Sequence, residues 1–294
     1  MNIKNIAWIG TGVMGRSMCL HLMDKGYEIS VYNRTKSKAD DLIAAGAKWC
    51  DSPGEAASGA DVIFTIVGYP KDVETVILGE NGVLDNAKKG AVIVDMTTSE
   101  PSLAVKIAEK AAAVNVGSID APVSGGDLGA RNGTLAIMCG GDKNVFDTVL
   151  PLMEAFGKNI KLMGAAGAGQ HTKMCNQILI ATNMIGVVES LLYGHKAGMD
   201  MNEIIDVIGS GAAASWSINN LGRRIADGNF DPGFFIKHFV KDMGIALKEA
   251  QAMNLSLPGL AMANQFYTAA MAQGLQDMGT QGLYKVFEGM NSPG

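Results

Sequence analysis

Apolar residues in the first half of the chain come in short β-branched runs, separated by stretches with a helical repeat. Asn5–Ile9 and Glu28–Tyr32 predict strands, with a helix over residues 14–25 between them. A second helix is predicted over residues 37–45, ending at Gly46. Residues 61–67 (DVIFTIV) are apolar at nearly every position, as expected of a strand covered on both faces. Residues 91–95, Gly117–Asp120 and residues 134–139 predict further strands, with a helix over Pro101–Ala113. Strands alternating with helices imply βαβ units and a twisted, mostly parallel sheet with right-handed crossovers.

After about residue 165 the pattern changes. Gly167-Ala168-Gly169 leads into one long helical repeat over residues 170–197, closed by Gly198. The remainder of the chain is helical in pattern, with breaks near Gly209–Gly211, at Asp231-Pro232-Gly233 and at Leu257-Pro258-Gly259. The chain is therefore expected to form an α/β domain over 1–165 and an all-α domain over 166–294, joined by a long interdomain helix.

Composition narrows the function. The 294 residues are 48% hydrophobic and 18% charged, enough apolar material for substantial cores. A net charge of -5 leaves no basic stripe to displace counterions, which argues against a nucleic-acid partner. No apolar run uninterrupted by polar residues is long enough to span a bilayer, so no membrane partner is expected. Cys19, Cys50, Cys139 and Cys175 are far apart and lack metal-ligand spacing, as reduced thiols would be. The four histidines also lack ligand-spaced partners, so no metal is expected. The opening MNIKNIAWIG has no charged leader or apolar signal core, and a soluble, cytoplasmic protein is expected.

Gly10, Thr11, Gly12, Val13, Met14 and Gly15 spell G-x-G-x-x-G directly after a strand and at the start of a helix. Such glycines allow a tight turn and close approach of backbone to a pyrophosphate, which the helix N-terminus then faces. A dinucleotide is implied. An acidic residue at the end of the second strand would favour NAD, by accepting a hydrogen bond from the ribose 2′-hydroxyl. Here Asn33, Arg34 and Thr35 stand there, with Lys38 a turn later. These residues can donate to a 2′-phosphate, and Arg34 can also stack on adenine. NADP is favoured, with NAD the lesser possibility.

Two further segments carry chemistry. Ser124, Gly125 and Gly126 close the run Asp120-Ala121-Pro122-Val123, and such a loop offers a hydroxyl and consecutive N–H groups to a carboxylate. Lys173, Asn176 and Gln177 stand at i, i+3 and i+4 on one face of the long helix. A lysine there can donate a proton as a carbonyl is reduced.

Together these motifs resemble the β-hydroxyacid dehydrogenases, the family of 3-hydroxyisobutyrate dehydrogenase and the tartronate, glyoxylate and succinic semialdehyde reductases. The resemblance covers essentially the whole chain. It rests on Gly10–Gly15, on Asp120–Gly126 continuing through Gly129-Ala130, Gly133-Thr134-Leu135 and Gly140-Gly141, on Gly167-x-Gly169-x-x-x-Lys173, and on Lys241-Asp242. It implies a Rossmann-type first domain, a homodimer or homotetramer, and a small carboxylic acid as substrate. It also implies that Lys173 is the catalytic acid/base and that Ser124, Gly125 and Gly126 hold the substrate carboxylate. Thr98 and Lys241 would contact the cofactor, Asp242 would brace the site and Phe234 would wall it. Many members have Asn at both positions three and four after the lysine; here Gln177 takes the second and is expected to keep a substrate-binding role. Two alternatives remain open: a catalytically silent NADP(H)-binding module, and an imine reductase on the same fold.

Overall fold

A computed structural model of the chain describes residues 3–292, which divide into two compact units between Lys173 and Met174. Among the described residues of the first unit, nine strands form one sheet. They are β1 (Asn5–Ile9), β2 (Glu28–Tyr32), β3 (Lys48–Trp49), β4 (Val62–Thr65), β5 (Val92–Asp95), β6 (Gly117–Asp120), β7 (Val123–Ser124), β8 (Leu135–Gly141) and β9 (Gly157–Gly164). Their order is β3-β2-β1-β4-β5-β6-β8-β7, with β9 also beside β8. Neighbours from β3 through β6 are all parallel. β8 runs antiparallel to β6 and β7, so a parallel body carries a mixed edge. This is the mostly parallel sheet expected from the alternating pattern, and the Rossmann-type domain that the resemblance implies.

Residue alternation explains why both faces are covered. Ile6, Trp8, Phe64 and Val94 enter one core, while Ala7, Ile9, Ile63 and Ile93 enter the other. Trp8 stacks on Phe64 at 5.1 Å, and both meet Phe156 edge-on. The helices of this unit are α1 (Val13–Asp24), α2 (Asp40–Ala44), α3 (Pro53–Ala57), α4 (Pro70–Leu78), α5 (Val83–Asn86), α6 (Pro101–Ala113), α7 (Gly126–Arg131) and α8 (Lys143–Met153). Several of them, α3 and α5 among them, are too short for a periodic signal. α3 is set instead by Pro53 in its first turn and by the Ser52 hydroxyl, which accepts from Glu55 N–H. The helix expected over 37–45 begins as a 3₁₀ turn, Lys36–Ala39, before α2.

α9 (Ala168–Lys196) crosses the boundary between the units. The sequence pattern turns helical at 165, but the packing boundary falls later, because Asp120 ties the first turn of α9 to β6. The second unit also holds α10 (Met201–Ile208), α11 (Arg223–Ala226), α12 (Ile236–Ala252), α13 (Pro258–Ala272) and α14 (Leu283–Met290), with a π-helical turn at Ser217–Gly222. Its core gathers Met184, Val188, Leu191, Phe239, Met243, Tyr267 and Leu283. Phe239 meets Tyr267 edge-on at 5.0 Å, and the buried Tyr267 hydroxyl donates to Thr280 O at 2.8 Å.

By length and composition α9 is apolar enough to cross a bilayer. Polar residues such as Asn176, Gln177 and Asn183 interrupt its apolar runs, which hydropathy averaged along a helix tolerates. In the second unit its residues Ala181, Met184, Val188 and Leu191 are buried in the helical core.

Candidate active site

The glycine loop sits where the strand order reverses, between β1 and β4. Ile66 N–H donates to Ile9 O, drawing the ends of these strands together. Gly10 lies between them at φ +100°, and a Cβ there would collide with the Ile66 carbonyl. α1 then begins with no side-chain cap and no acidic residue in its first turn. Nothing stands within 4 Å of the place a Cβ on Gly12 would take. Thr11 is buried, and its hydroxyl has no hydrogen-bond partner. Uncapped helix N–H groups, open space and an unsatisfied buried hydroxyl together fit a bound pyrophosphate.

The end of β2 supports this loop directly. Asn33 Oδ1 accepts from Thr11 N–H at 3.1 Å, and Asn33 Nδ2 donates to Thr35 O at 2.8 Å. The amide expected to meet a phosphate therefore also braces the glycine loop. Arg34 is 85% exposed and pairs with Asp72 at 3.2 Å. Thr35 and Lys38 are exposed beside it. Lys36, for which the sequence suggests no role, lies over the Trp49 ring at 5.1 Å.

Ser124 is in β7 rather than in a loop, with Val123 and Ser124 paired to Ile137 and Ala136 of β8. Gly125 and Gly126 come next at φ +131° and +62°, a turn that a residue with a Cβ adopts only with strain. Ser124 and Gly126 are half-buried and Gly125 is exposed. A strand thus presents the turn, which is a firmer support than the loop expected from the sequence.

The start of α9 is held from below. Asp120, the last residue of β6, accepts from Gly167 N–H and Gln170 N–H, both at 2.8 Å. Burial raises the Asp120 carboxyl from its ordinary value, and these N–H donors oppose that rise. Asp95, the last residue of β5, accepts from the Thr65 hydroxyl at 2.8 Å and from Thr97 N–H at 3.1 Å. Burial lifts it to about 6; the Thr97 and Thr65 hydrogen bonds work against this, and the charge of Asp120 adds to it. Lys173, one turn after Gln170, is only 6% exposed, and Thr98 is half-buried in the turn after β5.

In the second unit, Asn176 Nδ2 donates to Gln177 Oε1 at 2.7 Å. Gln177 Nε2 in turn donates to Asp242 Oδ2 at 2.6 Å. Gln177 is buried and both ends of its amide are engaged, whereas Asn176 is half-buried. Lys241 Nζ lies 2.9 Å from Asp242 Oδ1 as an ion pair without hydrogen-bond alignment. Phe234 is partly exposed and packs against His238 and Phe239. Burial and the Lys241 charge push the His238 imidazole down, and Asp242 opposes them.

Asp95, Asp120, Asp72 and Gln170 were given no role from the sequence. A signal existed for Asp95, which ends the apolar run of β5, where a carboxylate must find donors.

Comparison with known proteins bears on the same segments. Residues 5–164 match the NAD binding domain of 6-phosphogluconate dehydrogenase, and residues 167–287 match the NAD-binding domain of NADP-dependent 3-hydroxyisobutyrate dehydrogenase. The chain is 54% identical to a probable mitochondrial 3-hydroxyisobutyrate dehydrogenase-like protein of Arabidopsis thaliana, over 98% of this chain and 86% of that one. It is 37% identical to 2-hydroxy-3-oxopropionate reductase of Escherichia coli, over 96% and 97%. Among solved structures, Mycobacterium tuberculosis 3-hydroxyisobutyrate dehydrogenase with L-serine superposes with a TM-score of 0.88 at 28% identity, covering 99% of this chain and 100% of that one.

Proposed function

This chain belongs to the β-hydroxyacid dehydrogenases, NAD(P)-binding oxidoreductases that act on CH–OH donors, and from that premise we propose that it moves a hydride between NADP(H) and a small β-hydroxy acid or its semialdehyde, with Lys173 as acid/base. The observation that carries this reading is the buried Lys173 in the second turn of α9, in the same unit as the open glycine loop and the Ser124–Gly126 turn.

The nicotinamide supplies or receives the hydride. The protein's part is binding, orientation and the proton. N–H groups at the start of α1 and the Thr11 hydroxyl hold the pyrophosphate, with Asn33 bracing the loop. Arg34, Thr35 and Lys38 would hold the 2′-phosphate; the exposed Arg34–Asp72 ion pair is a weak competitor for that role. Thr98 and Lys241 add cofactor contacts, and Phe234 forms a wall. The Ser124 hydroxyl and the Gly125 and Gly126 N–H groups receive the substrate carboxylate. Lys173 Nζ would give its proton to the substrate oxygen in reduction and take it back in oxidation. Asn176 holds the remaining polar group of the substrate. Gln177 acts behind it, with Asp242 fixing its amide so that Asn176 keeps one orientation.

NADPH oxidation followed by absorbance, against glyoxylate and succinic, methylmalonic and tartronic semialdehydes with NADH in parallel, tests the reading. Turnover on at least one acid, faster with NADPH, is expected. Lys173→Ala should lower kcat by about 1,000-fold with NADPH affinity within about threefold of wild type. Tight NADPH binding without turnover on any acid would favour a silent module or an imine substrate. An equal loss of cofactor affinity in Lys173→Ala would remove the lysine from its role.

A further inference from the structure

Gln170 joins the hydrogen bonding that ties the strand ends to α9 through both its side chain and its own N–H. It is fully buried. Its Oε1 accepts from Ser99 N–H at 2.9 Å and its Nε2 donates to Thr97 O at 2.7 Å, so one amide clamps both sides of Thr98. Its own N–H donates to Asp120 Oδ2. The clamp continues outward: Thr97 N–H reaches Asp95, and the Thr97 hydroxyl accepts from Val67 N–H at 2.9 Å. Residues beyond the ends of β4 and β5, the end of β6 and the first turn of α9 thus share one buried network. Lys173 comes three residues after Gln170, on the same face of the helix.

We infer that Gln170 is a positioning residue, which sets the height of Lys173 against the Thr97–Ser99 turn and thereby aligns the proton donor with the cofactor contact proposed at Thr98. The inference rests on the assignment of Lys173 as acid/base. An amide suits the task because it donates to one side of the turn and accepts from the other. No apolar side chain does either, and a carboxylate can only accept. The seat beneath is equally specific. A Cβ on Gly169 would lie 2.6 Å from Asp120 O and would also collide with Met138 O, so the helix start rests directly on strand backbone. A registry error of about 1 Å in a proton donor costs on the order of 100-fold in rate.

The test compares Gln170→Leu and Gln170→Glu with wild type and Lys173→Ala, measuring kcat, KM, NADPH affinity by fluorescence and Tm. Gln170→Leu should lose about 30- to 100-fold in kcat, with NADPH affinity within about threefold of wild type. Gln170→Glu gives a readout that a purely structural role would not move. Ionised, it faces Thr97 O with an acceptor; protonated, it regains a donor for Thr97 O while still accepting from Ser99 N–H. Asp120 accepts from its backbone N–H, Asp95 accepts from the neighbouring Thr97 N–H, and Lys173 stands one turn further along α9; burial and the two carboxylates raise its pKa, and the Lys173 charge opposes that rise. Its kcat relative to wild type should therefore climb as the pH falls from about 8.5 to about 6. Gln170→Leu should show no such recovery. If Gln170→Leu does not fold, the Gln170→Glu profile alone decides. Wild-type kcat in a folded Gln170→Leu overturns the inference, as does a pH-independent deficit in Gln170→Glu. Full activity in Lys173→Ala would instead overturn the underlying reading of the site.

Discussion

Two helices in this chain begin with Gly-x-Gly, and their beginnings are opposite in character. At Gly10-Thr11-Gly12 the ensuing helix has no cap, and space lies open above Gly12. At Gly167-Ala168-Gly169 the helix rests on strand backbone and its first N–H groups are taken by the buried Asp120 carboxylate. Both first glycines have positive φ, +100° and +89°. The difference lies in what faces the helix end. An uncapped N-terminus keeps its N–H groups and partial positive charge for a ligand, whereas one closed by a carboxylate from its own protein becomes an anchor. The first binds, and the second fixes the position of the lysine one turn beyond it.

Exchanging the properties of these two sites breaks the comparison. The largest stability effect is expected at the anchor. Asp120→Ala orphans two buried N–H groups and should cost about 3 kcal/mol, read as a lower denaturation midpoint. A midpoint equal to wild type would mean that the helix start is held by something else. The open end should respond in the reverse manner. Gly12 has φ −68°, which alanine adopts freely, so Gly12→Ala should leave Tm nearly unchanged. Its methyl group fills the space meant for phosphate, and cofactor affinity should fall about 10-fold or more by fluorescence titration.

The smallest effect concerns pH. Asp95 carries its proton more tightly folded, at about 6, than unfolded, near 4. Between those values the native state binds more protons, so stability falls as pH rises through the window and levels off above it. Tm should drop by a few degrees from about pH 4 to about pH 6.5 on this account. Asp95→Asn should flatten that part of the profile, read as the difference between the two Tm curves. An unchanged difference across the window would show that Asp95 does not titrate there.

Much of the candidate site is legible in the sequence. Gly10–Gly15 announces itself because its mechanism demands a strand before and a helix after, and both are written in the apolar pattern. Lys173, Asn176 and Gln177 could be placed on one face because helical spacing is local. Which polar groups were already engaged could not be read. Gln177 was expected to meet substrate, and the structure has its amide held between Asn176 and Asp242. Asn33 was expected to serve the phosphate, and it also braces Thr11. Ser124 was expected in a loop, and strand pairing with β8 supports it.

The sequence by itself determined the α/β first half, the helical second half, the family and the residues proposed for the chemistry. Each of these comes from local periodicity, from φ requirements at particular glycines, or from motifs that lie within one segment. Only the tertiary structure decided that Asp120 meets Gly167 and Gln170, and that Gln170 spans the 97–99 turn some seventy residues earlier in the chain. Hydrogen bonds between segments so far apart leave no periodic trace in either one. They arise when strands added side by side bring their ends together, and burial then requires each polar group there to find a partner.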